Sequence, residues 1–194
     1  DENDSKAGFF FNLCKEVIEN YFTNNNIQFS PMTSPQIHHT GVTAFANPKE
    51  RYIIGAFSHG STTALTIRNQ EYLSNNLNGE ALSGGFIYTF ACNSGKTLGE
   101  ELINDKGVLC YIGYNKKVWI WDNEHLGAFV NSATLGFIAF FDGLTSFEII
   151  DLIKDKINEE IDKVYKLNYW VAADLKKNRD SLKLHGIDVS IKDF

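Results

Sequence analysis

The chain has 194 residues, of which 43% are hydrophobic and 22% charged, a composition typical of a globular protein with a substantial core. Its net charge of −6 argues against nucleic acid as a partner, because phosphate binding needs clustered Lys and Arg. No apolar run approaches the ~18 residues of a membrane span, so no membrane partner is expected. These totals predict a single domain over residues 1–194.

Three cysteines, an odd number without regular spacing, do not describe a disulfide scaffold. A reducing, cytoplasmic compartment is the simpler expectation, with secretion after removal of a signal segment as the alternative. The chain starts at Asp1 and shows no signal peptide. This start fits a mature product or an excised module of a larger protein, and the sequence does not choose between them.

Hydrophobic periodicity predicts the elements of the first half of the chain. Residues 1–7 are polar and are expected to be a loose start. The apolar residues of 9–22 recur at helical spacing and place Cys14 near the buried face of an amphipathic helix. His38 and His39 are not expected to bind a metal, because adjacent histidines face different sides of a strand and no Cys or acidic partner stands nearby. The other elements expected here are a short strand at 27–30, an edge strand at 42–45, a buried strand at 51–58 and a short helix at 70–77.

The second half alternates apolar strands with helices. Thr145 and Glu148 have the spacing of a capping box, which predicts that a helix begins there. The remaining predictions are a polar loop at 75–85, strands at 86–91, 108–113 (with Cys110 in the core) and 181–187, helices at 97–104 and 124–141, and a loop or short strand at 116–121. This alternation predicts an α/β fold with a mainly parallel central sheet.

Two of the predicted strands are followed directly by residues whose side chains could take part in catalysis. The strand at 51–58 is followed by His59-Gly60, and the strand at 86–91 by Cys92 and an Asn-Ser-Gly turn. In open α/β sheets ligands bind at the carboxyl ends of the strands, so parallel neighbours would bring both side chains to one edge. A nearby histidine turns a cysteine into a nucleophile, and backbone N–H groups at sharp turns stabilise an oxyanion. The alternative is a buried structural cysteine and an unrelated His-Gly pair.

The segments 58–60 (SHG) and 91–95 (ACNSG), each closing an apolar strand, resemble the catalytic segments of the caspase-like cysteine peptidases. Among these, the chain most resembles the bacterial CHAT-domain proteases. The similarity extends over residues 52–187 and includes the GVLCYIG strand, the following helix pair and the LKLHGID tail. It implies a caspase-like three-layer α/β/α sandwich.

The resemblance also implies roles for individual residues. Cys92 would be the nucleophile and His59 the base, with the oxyanion bound by the backbone N–H groups of Gly60 and Cys92. Neither a metal nor a cofactor is needed. The loop at 115–122 would line the primary substrate pocket, with Trp119 and Trp121 as apolar walls and Asp122 as a polar contact; alternatively the two tryptophans serve packing. His125 and His185 are expected to be structural or surface residues.

The chain departs from the family pattern at two places. The family fold has a strand before its first helix, whereas this chain opens on the helix, so that strand lies upstream of Asp1 or is absent. Metacaspases and clostripain carry an acidic residue two positions before the cysteine, where it binds a basic P1 side chain. Phe90 occupies that position here, which argues against basic specificity of that kind.

Three functions follow as hypotheses. The first is a cysteine endopeptidase that cleaves a protein or peptide substrate through a thioacyl intermediate, under the control of an activating or inhibitory partner protein or domain. The second is a catalytically inactive caspase-like module with a binding or regulatory role. The third is a cysteine hydrolase acting on non-peptide substrates.

Overall fold

The computed structural model describes residues 4–33, 36–121 and 124–194, so Asp122 lies outside the described residues. The helices of this part are α1 (Gly8–Asn24), α2 (His39–Ala46), α3 (Asn75–Asn78), α4 (Leu98–Lys106), α5 (Leu126–Phe141), α6 (Ser146–Val164) and α7 (Tyr169–Ser181). Its strands are β1 (Tyr52–Phe57), β2 (His59–Gly60), β3 (Ala64–Ile67), β4 (Gln70–Ser74), β5 (Gly85–Phe90), β6 (Cys110–Tyr114) and β7 (Leu182–Gly186).

The predicted α/β class and the mainly parallel central sheet are confirmed. The central sheet has the order β1-β5-β6-β7; β1, β5 and β6 are parallel, and β7 pairs antiparallel with β6. A small antiparallel sheet, β2-β3-β4, adjoins the end of β1. Helices α1, α5 and α6 pack on one face of the central sheet and α2 and α4 on the other, which gives a three-layer α/β/α arrangement.

The apolar sequence of β5 explains why this strand lies at the centre. Every residue of Gly85–Phe90 is buried, as expected for a parallel strand covered on both faces. Phe86 and Tyr88 face the core beneath α1, α5 and α6, whereas Ile87 faces the opposite core. Cys92 follows Ala91 directly and therefore lies where the buried strand β5 has ended, at the carboxyl end of the central sheet.

Several local predictions are confirmed. The helix expected at 9–22 is α1, and Thr145 and Glu148 form both hydrogen bonds of the predicted capping box at the start of α6. Cys14 and Cys110 are fully buried in the core. Burial raises the pKa of the Cys14 thiol far above its usual value and that of Cys110 to about 12.

Three predictions are wrong. Residues 42–45 belong to α2 rather than to an edge strand, because the His38 side chain accepts the Gly41 N–H at 3.1 Å and caps a helix there. The helix predicted at 70–77 is instead largely β4, which forms a hairpin with β3. Arg68 and Asn69 make the two-residue turn with φ of 49° and 62°, the left-handed geometry that hairpin turns need. Residues 27–30 form no strand.

The structure also adds elements that no pattern predicted. Helix α7 (Tyr169–Ser181) was not foreseen, and the expected loop at 75–85 contains α3 and a short 3₁₀ turn. No strand precedes α1 in residues 4–7, and β1 is an edge strand. Among the described helices, none has the length and apolar character required to cross a membrane.

Candidate active site

The pairing of β1 with β5 places His59 and Cys92 at the same level of the sheet edge. The two strands are parallel neighbours, and each β1 residue lies opposite the residue 33 positions further along, from Tyr52 with Gly85 to Phe57 with Phe90. His59 precedes Cys92 by the same 33 positions. The Ser58 N–H donates to the Phe90 carbonyl at 3.4 Å, which continues the ladder toward the pair.

Gly60 brings its backbone against that of Cys92. A Cβ atom at Gly60 would lie 2.8 Å from the Cys92 carbonyl oxygen and 3.0 Å from the Ala91 Cβ. Contacts this short are not tolerated by a side chain, so glycine is required for the two segments to meet. The pairing of His59 with Thr66 in the small sheet holds the segment in this position.

Hydrogen bonds fix the turn that follows Cys92. Asn93 adopts a positive φ of 59°, and its N–H donates to the Lys116 carbonyl at 2.9 Å. The buried Ser94 hydroxyl donates to the Ala91 carbonyl at 3.0 Å, and the Gly95 N–H donates to the Tyr114 carbonyl at 2.9 Å. The turn is therefore anchored to the end of β6, and Cys92 stands on a rigid support.

His185 contributes to the same support. Its Nε2 lies 2.8 Å from the Gly95 carbonyl oxygen, across from the turn. This contact agrees with the structural role predicted for His185.

Of the three cysteines, all of which are described and free, Cys92 is the one that is not buried. Its Sγ makes a weak contact of 3.9 Å with the Val118 carbonyl oxygen. Accessibility distinguishes Cys92 from Cys14 and Cys110, because a nucleophile has to meet its substrate.

His59 has a partner that the sequence did not reveal. Its Nε2 lies 3.0 Å from Oδ2 of Asp4, and its ring packs edge-to-face on Phe11 with the centroids 5.6 Å apart. Residues 4–7 are consequently not the loose start that was predicted. The available signal was an Asp just before a helix, a residue type that binds nearby backbone N–H groups.

The segment at 115–121 runs beside Cys92 and carries both predicted pocket tryptophans. Asn178 of α7 holds the Trp119 backbone at both its N–H (2.8 Å) and its carbonyl (2.7 Å). Trp119 is 36% exposed, and the Lys117 and Lys177 ammonium groups lie 4.3 Å and 4.9 Å from the centroid of its ring. Trp121 is half-buried and donates its Nε1–H to Asp174 at 2.9 Å. The pocket role of both residues stays a prediction.

A large cavity lies elsewhere. It has a volume of about 960 Å³ and follows the outer edge of β1 between α1, α2 and α5. Neither His59 nor Cys92 lines it, so the cavity is not the space in which a substrate of Cys92 would bind.

Metal ligands are not clustered in the part of the chain that the structure describes, where no group of three or more His, Cys, Asp or Glu side chains is placed to hold an ion. His38 is occupied in the cap of α2, its Nδ1 lying 2.6 Å from the Thr40 hydroxyl.

Comparisons of the chain with known proteins gave no match to a family model, to a curated protein or to a solved structure. The geometry of the sheet edge is therefore the basis for assigning a function.

Proposed function

We propose that the protein is a caspase-like cysteine endopeptidase in which Cys92 is the nucleophile and His59 the base. One observation carries the proposal: His59-Gly60 and Cys92 leave two parallel strands at the same level, and the Gly60 backbone lies against the Cys92 backbone. The likeness of segments 58–60 and 91–95 to the catalytic segments of the CHAT-domain proteases supports it. Together they supply a thiol, a base and backbone donors at one edge.

The proposed reaction proceeds in two stages. His59 takes the thiol proton of Cys92 as the sulfur attacks the carbonyl carbon of the scissile peptide bond. The backbone N–H groups of Gly60 and Cys92 donate to the oxyanion, the C–N bond breaks, and the imidazolium of His59 returns its proton to the leaving amine. Water then attacks the thioester with His59 as base, which releases the carboxylic acid and restores the thiol.

The rigid surroundings of Cys92 favour this chemistry. Donors for an oxyanion are effective when they are held in place before charge develops, since no reorganisation is then needed. The buried Ser58 hydroxyl lies 2.7 Å from the Tyr72 hydroxyl and donates to the His59 carbonyl at 3.0 Å. These bonds hold the backbone before Gly60, as the turn bonds hold the backbone after Cys92.

The substrate is proposed to be a protein or peptide chain, and a partner protein or domain is proposed to control access. Phe90 bears on specificity because its ring is buried between Phe10 and Tyr114, each 5.1 Å away between centroids. The position that carries an acidic residue in metacaspases is therefore part of the core here. We do not propose a basic P1 preference by that route.

The experiment that tests the proposal is proteome-wide mapping of cleavage sites with wild type and with Cys92→Ala. New protein N-termini are expected with wild type alone, and their P1 residues define the specificity. Cys14→Ala serves as the matched control, because it removes a thiol that is buried in the core. Equal cleavage by wild type and Cys92→Ala would refute the proposal.

The alternative function is a catalytically inactive module that binds a partner. The position of β1 favours it: among the described residues β1 is the outermost strand of the central sheet, and an edge strand can offer backbone groups to another chain. A thiol-reactive peptide probe separates the two functions. Labelling of Cys92 that is lost in His59→Ala is expected of the enzyme, whereas labelling that does not depend on His59 is expected of the module.

A further inference from the structure

The contact between Asp4 and His59 joins the beginning of the described chain to the candidate active site. Oδ2 of Asp4 lies 3.0 Å from Nε2 of His59, and the Asp4 side chain is 24% exposed. The other carboxylate oxygen, Oδ1, accepts the N–H groups of Lys6 at 2.9 Å and of Ala7 at 2.6 Å. The carboxylate is thus fixed on one side by the backbone and directed at His59 on the other.

The environment of Asp4 keeps the carboxyl group ionised at neutral pH. Burial raises its pKa, but the backbone hydrogen bonds from Ala7 and Lys6 and the interaction with His59 outweigh burial and leave the pKa below its usual value. An ionised carboxylate has only acceptor oxygens. The His59 nitrogen that faces it must therefore carry a hydrogen.

This requirement sets the tautomer of His59. With the hydrogen on Nε2, the neutral imidazole has its free electron pair on Nδ1. Within the residues that the structure describes, no hydrogen-bond partner engages Nδ1. Nδ1 is therefore available to take a proton. The edge-to-face contact with Phe11 restricts the movement of the His59 ring.

We propose that Asp4 is the positioning residue of the His59–Cys92 pair: it holds the hydrogen of His59 on Nε2 and so makes Nδ1 the base. The catalytic part of this inference rests on the proposed function; the control of the tautomer does not. Asp4 acts through His59 in both stages of the reaction. When His59 carries the thiol proton, the same carboxylate also stabilises the imidazolium.

The expected loss of kcat in Asp4→Asn depends on how far the His59 and Asp4 side chains are exposed to solvent. The side chains of His59 and Asp4 are 43% and 24% exposed, so solvent screens their attraction. In a fully buried serine-protease triad the Asp→Asn change costs about 10⁴ in kcat. Here we expect a smaller loss of about 10- to 100-fold, because both groups are partly in water.

The test uses Asp4→Asn, which retains a carbonyl oxygen for the Lys6 and Ala7 N–H groups but carries no charge. Asp155→Asn is the matched control, because Asp155 is an exposed carboxylate on the outer side of α6. The ¹⁵N chemical shifts of the His59 ring, measured in the Cys92→Ala background and assigned with His59→Gln, report the tautomer without any need for activity. Hydrogen on Nε2 is expected when Asp4 is present, and a shift toward hydrogen on Nδ1 is expected in Asp4→Asn. An unchanged tautomer in Asp4→Asn would overturn the inference.

The catalytic part is measured with a fluorogenic peptide copied from a mapped cleavage site. Asp4→Asn is expected to lower kcat by about 10- to 100-fold with KM changed less than about twofold, and Asp4→Glu to recover part of kcat. An unchanged or increased kcat in Asp4→Asn would overturn the catalytic part, an increase meaning that Asp4 restrains His59. Absence of peptidase activity in wild type would instead refute the proposed function, and the tautomer measurement would still decide whether Asp4 controls His59.

Discussion

Gly60 and Cys92 touch through their backbones, and no side chain fits between them: a Cβ on Gly60 would lie 2.8 Å from the Cys92 carbonyl oxygen. The contact brings the Gly60 segment against the Cys92 segment, and the backbone N–H groups of these two residues are the proposed oxyanion donors. It also links the small sheet β2-β3-β4 to the turn after β5, two parts of the fold that are distant in sequence.

Gly60→Ala should consequently impair catalysis, because the added methyl group forces the Gly60 and Cys92 segments apart and so separates the two proposed donors. We expect kcat/KM to fall by more than about tenfold, the order of loss seen when an oxyanion donor is displaced. The control is Gly127→Ala, since nothing lies within 4 Å of a Cβ at that position of α5. Equal activities of the two variants in the peptide assay would contradict the donor role of the Gly60 segment.

The three thiols should differ sharply in reactivity. Cys14 and Cys110 are buried, and burial raises their pKa values, so very little thiolate is present at pH 8. Iodoacetamide should therefore modify Cys92 at least about 100-fold faster than either buried cysteine, as measured by mass spectrometry of the labelled peptides. A sample unfolded in guanidinium should label at all three positions. Comparable rates in the folded protein would show that the thiols are not distinguished by burial.

Asp4 should make stability depend on pH in the acidic range. Its folded pKa is lower than the ordinary value of 3.8, so the stabilisation it provides is present above that value and is lost as pH falls through the folded pKa. Solvent screening limits the effect to a few tenths of a kcal/mol up to about 1 kcal/mol. Urea unfolding of wild type and Asp4→Asn should give a stability difference at pH 6 that shrinks as the pH falls below 3.8 and through the lowered folded pKa of Asp4. A difference that stays constant as the pH falls through this acidic range would show that the charge of Asp4 is not its cause.

Substitutions of Trp119 and Trp121 should have different effects, the first on substrate binding and the second on the stability of the fold. Trp119 is exposed on the segment that runs beside Cys92, so Trp119→Ala should raise KM several-fold while changing the free energy of unfolding by less than about 1 kcal/mol. Trp121 contacts the core and donates to the buried Asp174, so Trp121→Ala should cost about 2–4 kcal/mol. Thermal unfolding and steady-state kinetics on both variants give these values. Loss of stability in Trp119→Ala without a change in KM would assign Trp119 to packing.

Local patterns determined much of this fold in advance. The buried runs of β1, β5 and β6, the amphipathic face of α1 and the capping box of α6 are signals carried by neighbouring residues, and each predicted element is present. The burial of Cys14 and Cys110 followed from the same patterns. His59 and Cys92 were recognisable as candidates because each directly follows an apolar strand.

Local signals were ambiguous where segments are short. Residues 42–45 and 70–77 were assigned the wrong structure, because a few apolar residues fit a helix or a strand equally well. The His38 cap decided the first segment and the turn at Arg68 and Asn69 the second. Helix α7 escaped prediction because the large residues at its start, Tyr169 and Trp170, face solvent. Its buried face also includes the polar residues Asp174, Asn178 and Ser181, so no apolar stripe marks the helix.

Only the tertiary structure decided how the candidate site is assembled. The sequence determined which strands exist. It did not determine that β1 and β5 pair in the register that places His59 and Cys92 at the same level of the sheet. It placed Asp4 next to α1, but not against His59. Register and such long-range contacts depend on how the whole sheet and its helices pack together, and no stretch of neighbouring residues encodes that packing by itself.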